Sequence, residues 1–368
     1  MICAGNFELP DLNAAAHRVL NDAKLFSLSE YNTVFLGTNR SAQYYDGIVR
    51  CSYRLGYDVY ERAYPKTKKQ WASQILDTDD LSGLLDRYRD TRAVLLYNTP
   101  FATVLAVRRA FQKRGVRILY DCTEWNGYTE GDSLKRRVKA FDSTEIEKRL
   151  GKVCDGVIAV SRTIADQYRP YVPVLLLPPL VDLKDPIFRQ KPVVHPHYTF
   201  LYAGSPSDKE RLDLVIRAFA ALPRDSAALR IVGVEQEAFI SEDPDAALYA
   251  EAENIVFTGR LSHRETVREI LSCDCFVFLR EPTRRNTAGF PTKFVEASTC
   301  GARIICADTG DVGTYADESC TLLPELTLPL VSNAMRQVFE QGRVLHIPRP
   351  VFDFRQYAEA CRSFLEEV

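Results

Sequence analysis

The chain has 368 residues, 46% of them hydrophobic, and a formal net charge of −2. This length exceeds that of most single domains, so two domains with a hydrophobic core each are expected. The near-neutral charge argues against a general nucleic-acid binder, which needs a large basic surplus. No apolar run approaches the roughly 18 residues of a membrane-spanning helix.

The ten cysteines are scattered along the chain. They form no CxxC pair and no cluster with histidine at the spacing of metal ligands, so we interpret them as reduced and mostly structural. A predicted strand begins at Met1 and leaves no room for a signal peptide. A cytoplasmic location is therefore expected.

The first half of the chain alternates predicted strands and helices. Ile2 to Ala4 is a short apolar run, Gly5 to Phe7 a glycine turn, and Pro10 to about Leu25 an Ala-rich helix. Thr33 to Leu36 is predicted as the next strand. The segment LGYDVY, Leu55 to Tyr60, predicts a helix end, a glycine and a further strand.

The alternation continues up to a proline-rich segment. AVLLYN, VRILYDCTEW, DGVIAVS and VPVLLLP are predicted strands, and FATVLAVRRAFQKRG and Arg162 to Tyr168 are predicted helices. Strands that alternate with helices of this length predict a parallel, doubly wound sheet. Five prolines lie from Pro178 to Pro196 and forbid a long helix or a central strand, so we place a domain linker at residues 181–196.

The second half restarts the same pattern with TFLYAGS, LRIVGV and NIVFTG as strands. The chain ends in a predicted amphipathic helix with Tyr357, Cys361, Phe364 and Leu365 near one face. The expected fold is α/β with two Rossmann-like parallel-sheet domains that face a cleft. Residues 1–180 form the first domain and residues 197–350 the second, and residues 351–368 cross back to the first domain.

The segment GFPTKFVEASTCG, Gly289 to Gly301, reads as a loop that enters a short helix closed by glycine. The strand Phe276 to Leu279 and a loop with Arg280, Arg284 and Arg285 precede it, and the strand Arg303 to Ala307 follows it. This βαβ unit places the loop at the carboxyl edge of the sheet, where open α/β sheets bind ligands. The free N–H groups of a helix start suit an anion, although an ordinary helix behind a turn has the same pattern.

Residues 199–310 resemble the donor-binding domain of retaining GT-B glycosyltransferases of the family 4 type. The resemblance is carried by YAGSPSDKERLDLVIRAF, LRIVGV, IVFTGRLS and GFPTKFVEASTCGARIICAD. The first half is similar more loosely, in the opening glycine loop, in DGVIAVSRTIADQY and in LLLPPLVD. The form GFPTKFVEA is similar to members that build bacterial surface polysaccharides, and the family uses a nucleoside-diphosphate sugar without a metal or other cofactor.

The resemblance implies a role for Glu296, which matches the second glutamate of the family's EX7E motif and would hold the nucleotide ribose. The first glutamate of that motif falls on Ala288, a departure that puts catalytic power or donor geometry in doubt. Lys209 matches the lysine that neutralises phosphate. The donor-binding residues implied are Gly5, Asn6, Gly204, Lys209, Gly259, Arg260, Arg280, Gly289, Phe290, Pro291, Thr292, Lys293 and Glu296.

On the acceptor side, the family commonly has a histidine after a first-domain strand, but none of the five histidines lies there. Asp121, Thr123 and Glu124 occupy the comparable strand end. Glu124 is the candidate for a contact with the acceptor hydroxyl or the sugar, and a plain salt bridge is the alternative. The implied catalytic set is therefore Lys209, Glu296 and Glu124.

Two charged runs allow more than one interpretation. Lys135, Arg136, Arg137 and Lys139 form either a solvated helix face or a basic patch for anionic lipid at the inner face of the membrane. The run DTDD, Asp77 to Asp80, is interpreted as a polar loop and not as a metal site.

The function expected from the resemblance is transfer of a sugar to a hydroxyl of a glycan or lipid-linked acceptor, with retention, in polysaccharide or glycoconjugate synthesis. A nucleotide-sugar epimerase of the same fold and a non-catalytic partner subunit, suggested by Ala288, are the alternatives. A nicotinamide dehydrogenase is disfavoured because no GXGXXG with a downstream acid follows any strand.

Overall fold

The computed structural model describes residues 1–10, 13–125, 133–204, 210–242, 249 and 252–368. This part of the chain divides into two compact units. The first comprises Met1–Leu180, Ala288–Phe290 and Phe354–Val368, and the second comprises Val181–Thr287 and Pro291–Asp353. The second unit therefore begins at the first residue of the expected linker, whereas Gly289 and Phe290 of the GFPTKFVEASTCG segment group with the first unit.

The first unit is built on an eight-stranded sheet in the order β3-β4-β2-β1-β5-β6-β7-β8. All neighbouring strands are parallel except β3 and β4. The strands are β1 (Ile2–Gly5), β2 (Val34–Asn39), β3 (Ile48–Arg54), β4 (Tyr57–Ala63), β5 (Ala93–Tyr97), β6 (Arg117–Cys122), β7 (Gly156–Ala159) and β8 (Val174–Leu176).

Helices connect these parallel strands. They are α1 (Ala14–Ser27), α2 (Lys68–Leu76), α3 (Asp79–Arg87), α4 (Phe101–Phe111), α5 (Leu134–Arg149) and α6 (Arg162–Tyr168). Helix α1 begins later than predicted, because the Asn13 side chain accepts a hydrogen bond from the Ala16 amide at 2.9 Å and caps the helix there. Asp11, expected at the helix start, lies outside the described residues.

The segment around Leu55 corrects the sequence interpretation. It is a β-hairpin in which β3 pairs antiparallel with β4, and not a helix end followed by a strand. Leu55 and Gly56 have φ angles of 52° and 87°, as in the central pair of a two-residue hairpin turn. Asp79 and Asp80, read as loop, form the first turn of α3, where Asp80 pairs with Arg62 at 2.6 Å.

The second unit is built on a six-stranded sheet in the order β11-β10-β9-β12-β13-β14. Every pairing in it is parallel. Its strands are β9 (Tyr198–Ala203), β10 (Ala227–Val232), β11 (Ile255–Gly259), β12 (Cys275–Phe278), β13 (Arg303–Ala307) and β14 (Cys320–Leu323). The strand order reverses between β9 and β12, which makes that position the switch point of the sheet.

The described helices of the second unit continue the alternation, and one short helix crosses its boundary because it ends at Ala288, which groups with the first unit. They are α7 (Leu212–Phe219), α8 (Gln236–Glu242), α9 (His263–Ser272), α10 (Arg284–Ala288), α11 (Thr292–Thr299), α12 (Val312–Tyr315) and α13 (Leu328–Gln341). The expected basic loop after β12 thus contains a short helix that begins at Arg284. Strands covered on both faces read as continuous apolar runs, and Phe276 and Val277 are fully buried.

The last helix, α14 (Ala358–Glu367), packs in the core of the first unit. Cys361 and Phe364 are buried, and Tyr357 and Leu365 pack beside them at its margin. Gly156 leaves room for this helix, since a Cβ there would lie 2.9 Å from the Phe364 ring. None of the ten cysteines forms a disulfide. The described residues include no helix with the length and apolar character of a membrane span.

Candidate active site

The carboxyl edge of the second sheet carries three glycines, at the ends of β9, β10 and β11. Gly204, Gly233 and Gly259 have φ angles of 156°, 89° and 64°, a region that disfavours other residues. The Gly204 amide donates to Val232 O at 2.9 Å and the Gly233 amide to Gly259 O at 2.8 Å. Because these glycines have no Cβ, they leave space beside the backbone at the sheet edge where α/β proteins bind ligands.

Lys293, in the first turn of α11, occupies the space that Gly204 leaves. A Cβ on Gly204 would lie 1.9 Å from Lys293 Nζ. The ammonium pairs with Glu210 Oε2 and lies 4.8 Å from the centroid of the Tyr202 ring. The Tyr202 hydroxyl donates to the same Glu210 oxygen at 2.5 Å. Burial lowers the pKa of Lys293, and the neighbouring Glu210 opposes that shift.

Glu210 is held beside the switch point by its backbone. It forms an antiparallel bridge with Arg280, directly after β12, and the Arg211 amide donates to Leu279 O at 2.9 Å. Arg280 is itself buried. The structure therefore gathers Lys293, Arg280, Gly204 and Glu210, and Glu210 was not among the residues predicted from the sequence.

Glu296 lies one turn further along α11 and contacts a histidine. His263 Nε2 is 2.9 Å from Glu296 Oε1, and the two side chains are 24% and 25% exposed. The sequence analysis assigned no role to His263 and missed this contact. A sequence pattern could have placed His263 at a helix start, because Ser262 and Glu265 form a capping box and make His263 the first residue of α9.

The other predicted donor-side residues differ in exposure. Arg260, after β11, and Thr292, at the start of α11, are exposed, whereas Pro291 is buried. Gly289 and Phe290 are buried and group with the first unit. Lys209, the predicted phosphate-binding lysine, lies outside the described residues.

Ala288, at the place of the first motif glutamate, is fully buried. Its carbonyl accepts a hydrogen bond of 2.6 Å from Ser161 Oγ within the first unit. Asn286, two residues before it, is also buried and donates its side-chain amide to Glu281 O at 2.7 Å. Arg284, four residues before it, is exposed.

In the first unit, two predicted donor-binding residues and the acceptor candidate Glu124 share one cavity of about 370 Å³ at the carboxyl edge of the sheet. Gly5, Asn6 and Glu124 line it together, with Trp71 and Lys139. Gly5 ends β1 at the switch point between β1 and β5, where a Cβ would lie 2.7 Å from Tyr97 O. Asn6 Oδ1 accepts from the Thr38 hydroxyl at 3.1 Å.

Asp121 lies near the end of β6, three residues before Glu124, but its side chain does not have the environment of Glu124. It is fully buried, and its two carboxylate oxygens each accept from the Arg18 guanidinium at 2.7 Å. Such a bidentate pair fixes α1 against β6. The residues expected at this strand end therefore separate into a core ion pair and a cavity-lining carboxylate.

The sequence comparisons identify a domain. Residues 184–319 match the family described as glycosyl transferases group 1. No curated protein sequence matches the chain.

Solved structures match nearly the whole chain. Sucrose-phosphate synthase from Thermosynechococcus elongatus is 14% identical, with a TM-score of 0.68 and coverage of 99% of this chain and 94% of that one. HepE from Anabaena, solved with UDP and glucose, is 14% identical, with a TM-score of 0.66 and coverage of 100% and 99%. A UDP-forming α,α-trehalose-phosphate synthase from Burkholderia xenovorans, solved with glucose-6-phosphate, is 11% identical, with a TM-score of 0.66 and coverage of 99% and 98%.

Identities of this size show the fold, which is GT-B with two parallel-sheet α/β domains. The family match identifies residues 184–319 as a glycosyltransferase domain of group 1. The chain therefore has the GT-B fold and carries a domain that matches the group 1 glycosyltransferases.

Proposed function

We propose that the enzyme transfers a sugar from a nucleoside-diphosphate sugar to a hydroxyl of a glycan or lipid-linked acceptor, with retention at the anomeric carbon. It would act as a family 4 type enzyme in polysaccharide or glycoconjugate synthesis. The observation that carries the proposal is the cluster of Lys293, Arg280 and Glu296 at the carboxyl edge of the second sheet. This edge lies within the segment that matches the group 1 family.

The charges of this cluster suit the diphosphate of a nucleoside-diphosphate sugar. Departure of the diphosphate is the costly step, and cations and N–H groups fixed in a partly buried site stabilise the developing negative charge. Lys293 and Arg280 provide positive charge at this edge, and the positive end of the α11 helix dipole adds to it. Glu296 would accept hydrogen bonds from the ribose hydroxyls.

The acceptor would bind in the first-unit cavity. Trp71 offers an aromatic face for a sugar ring, and Asn6 and Glu124 offer polar groups for its hydroxyls. In this mechanism the leaving phosphate receives the proton of the acceptor hydroxyl, and the enzyme needs no metal ion or other cofactor.

A thermal-shift and turnover panel tests the donor. UDP-glucose is the first candidate because HepE was solved with UDP and glucose. A nucleotide that binds only the folded state raises the melting temperature. At a nucleotide concentration of one hundred times Kd, it stabilises the folded protein by about 2.7 kcal/mol. Lys209→Ala and Glu296→Ala should each reduce transfer strongly without unfolding the protein, and unchanged turnover in both would refute the proposal.

The same panel separates two alternatives, an epimerase of the same fold and the non-catalytic partner that Ala288 suggests. An epimerase would alter the sugar of the nucleotide donor without an acceptor. A non-catalytic partner would bind the nucleotide and transfer nothing, because a buried alanine with no carboxylate stands where the motif has its first glutamate. Product analysis with and without an acceptor glycan distinguishes all three outcomes.

We also propose that α5 contacts an anionic membrane surface. The exposed residues Leu134, Val138 and Phe141 lie on one face of this helix, at 70%, 60% and 67% exposure. Arg136, Arg137 and Lys139 are exposed on the same helix, and the side chain of Lys135 lies outside the described residues. An apolar stripe beside basic residues is typical of helices that lie in a lipid interface.

Cosedimentation with vesicles tests this contact. The wild-type protein should bind vesicles with anionic lipid and bind neutral vesicles weakly. Glutamate at positions 136, 137 and 139 should abolish the binding, and serine at positions 134, 138 and 141 should weaken it. Binding that neither set of changes affects would show that α5 is an ordinary solvated helix.

A further inference from the structure

We propose that His263 is a positioning residue that orients the Glu296 carboxylate toward the ribose of the donor. This inference rests on the proposed function, in which Glu296 binds the ribose. Its direct basis is the 2.9 Å contact between His263 Nε2 and Glu296 Oε1. Since a carboxylate only accepts hydrogen bonds, Nε2 carries the proton and donates it.

The fold fixes His263 through the start of α9. Strand β11 ends at Gly259, and Ser262 then caps the helix. Ser262 Oγ accepts from the Glu265 amide at 3.3 Å, and Glu265 Oε2 accepts from the Ser262 amide at 2.9 Å. This reciprocal cap sets the direction in which the chain enters α9, so the imidazole of the first helical residue has a defined position.

Glu296 comes from a different helix that begins at the same edge of the sheet. It lies on α11, between the buried residues Val295 and Ala297, and its side chain is 25% exposed. A glutamate side chain has three rotatable bonds, and fixing them costs conformational entropy. A hydrogen bond from His263 to Oε1 restricts the side chain before the nucleotide binds, so Glu296 loses less conformational entropy on binding.

A vicinal diol needs a carboxylate that presents its oxygens in one orientation. With Oε1 held by His263, the carboxylate plane is set before binding, and both ribose hydroxyls can donate to it. The expected consequence is a preference for ribonucleotides over 2′-deoxyribonucleotides that depends on His263. A histidine that only stabilised the helix would change the binding of both kinds of nucleotide equally.

The experiment compares His263→Ala, His263→Gln and Glu296→Ala in the full-length protein. Calorimetry measures Kd for UDP, GDP and ADP and for their 2′-deoxy forms. His263→Ala should weaken the best ribonucleotide about tenfold, as expected for loss of a hydrogen bond to a charged group, and leave its deoxy form nearly unchanged. His263→Gln should restore most of the affinity, because its amide can still donate to Glu296.

Steady-state kinetics and a double variant give independent readouts. His263→Ala should raise KM for the sugar donor and leave kcat nearly unchanged, and adding it to Glu296→Ala should cause no further loss. Val267→Ala is the matched control, because it removes buried side-chain volume from α9 while leaving the Ser262 cap in place, and should lower the melting temperature without removing the ribose preference.

Two results separate the inference from the function on which it rests. If Glu296→Ala weakens ribonucleotide binding but His263→Ala does not, or weakens ribo and deoxy forms equally, the role of His263 is refuted. If Glu296→Ala itself leaves nucleotide binding intact, the proposed ribose contact fails, and the inference fails with it.

Discussion

Asp22 is a buried acid whose charge the core of the first unit does not accommodate well. It is 1% exposed and lies 3.7 Å from Arg18, which is already paired with both oxygens of Asp121. Burial raises the pKa of Asp22 from 3.8 to about 8, although Arg18 opposes the shift. We therefore expect Asp22 to keep its proton in the folded protein at neutral pH.

This shift predicts a pH dependence of stability. Because the folded state keeps the proton and the unfolded state loses it, the free energy of unfolding should fall as pH rises from about 4 to about 8. The slope from this group approaches about 1.4 kcal/mol per pH unit within that window. Urea denaturation of wild type and Asp22→Asn measures it, and the variant should lack this component.

Asp86→Asn is the control for this measurement, because Asp86 is a 68% exposed acid paired with Arg114. It should leave the slope between pH 4 and pH 8 unchanged. Equal slopes for the wild type and the Asp22→Asn protein would show that Asp22 titrates as an ordinary carboxylate.

Single residues show where sequence reasoning reached its limit. Glu296 and Lys293 were predicted as site residues from a local motif, and both lie on α11. Glu210 and His263 were missed, because their importance lies in contacts with residues 83 and 33 positions away. Asp121 was correctly placed at a strand end, but only packing shows that its side chain meets Arg18.

The β3–β4 hairpin was predicted incorrectly because its turn resembles a helix end. A glycine after an apolar residue is typical of both a helix C-terminus and a two-residue hairpin turn. Strand β3 was also hard to predict because it lies at the edge of the sheet, where its residues pair with β4 on one side only. Tyr53 is 73% exposed there, so the strand lacks the buried run that identifies central strands.

The turn itself predicts a stabilising substitution. Leu55 is 66% exposed and has a φ of 52°, which is costly for a leucine. Leu55→Asn should raise the free energy of unfolding by about 1 kcal/mol, because Asn-Gly is the preferred pair in this turn. Chemical denaturation measures it. Gly56→Ala, at a φ of 87°, should destabilise the hairpin, and a loss of stability in Leu55→Asn would contradict the turn assignment.

The return of the chain to the first unit makes that unit depend on the last residues of the sequence. Phe364 is 4% exposed and belongs to the same core as β1, β6 and β7. Phe364→Ala should lower the stability of the first unit by about 3–5 kcal/mol, as is typical for a phenylalanine cavity. Hydrogen exchange should show faster exchange in peptides of β1 and β7 and unchanged protection in β9 and β12.

Glu367→Ala, at the exposed end of the same helix, is the matched control and should leave both units unchanged. Equal loss of protection in both units after Phe364→Ala would mean that the two units unfold together and would contradict a local role for α14.

The two-domain α/β fold and the enzyme class followed from the sequence, and the comparisons confirm both. Alternating apolar runs and glycine-ended helices are local patterns, so they predict parallel sheets without knowledge of packing. The pairs at the sheet edges, such as Lys293 with Glu210 and His263 with Glu296, join segments that are distant in sequence. Tertiary structure alone decides these pairs, because strand order and helix packing, and not local periodicity, determine which side chains meet.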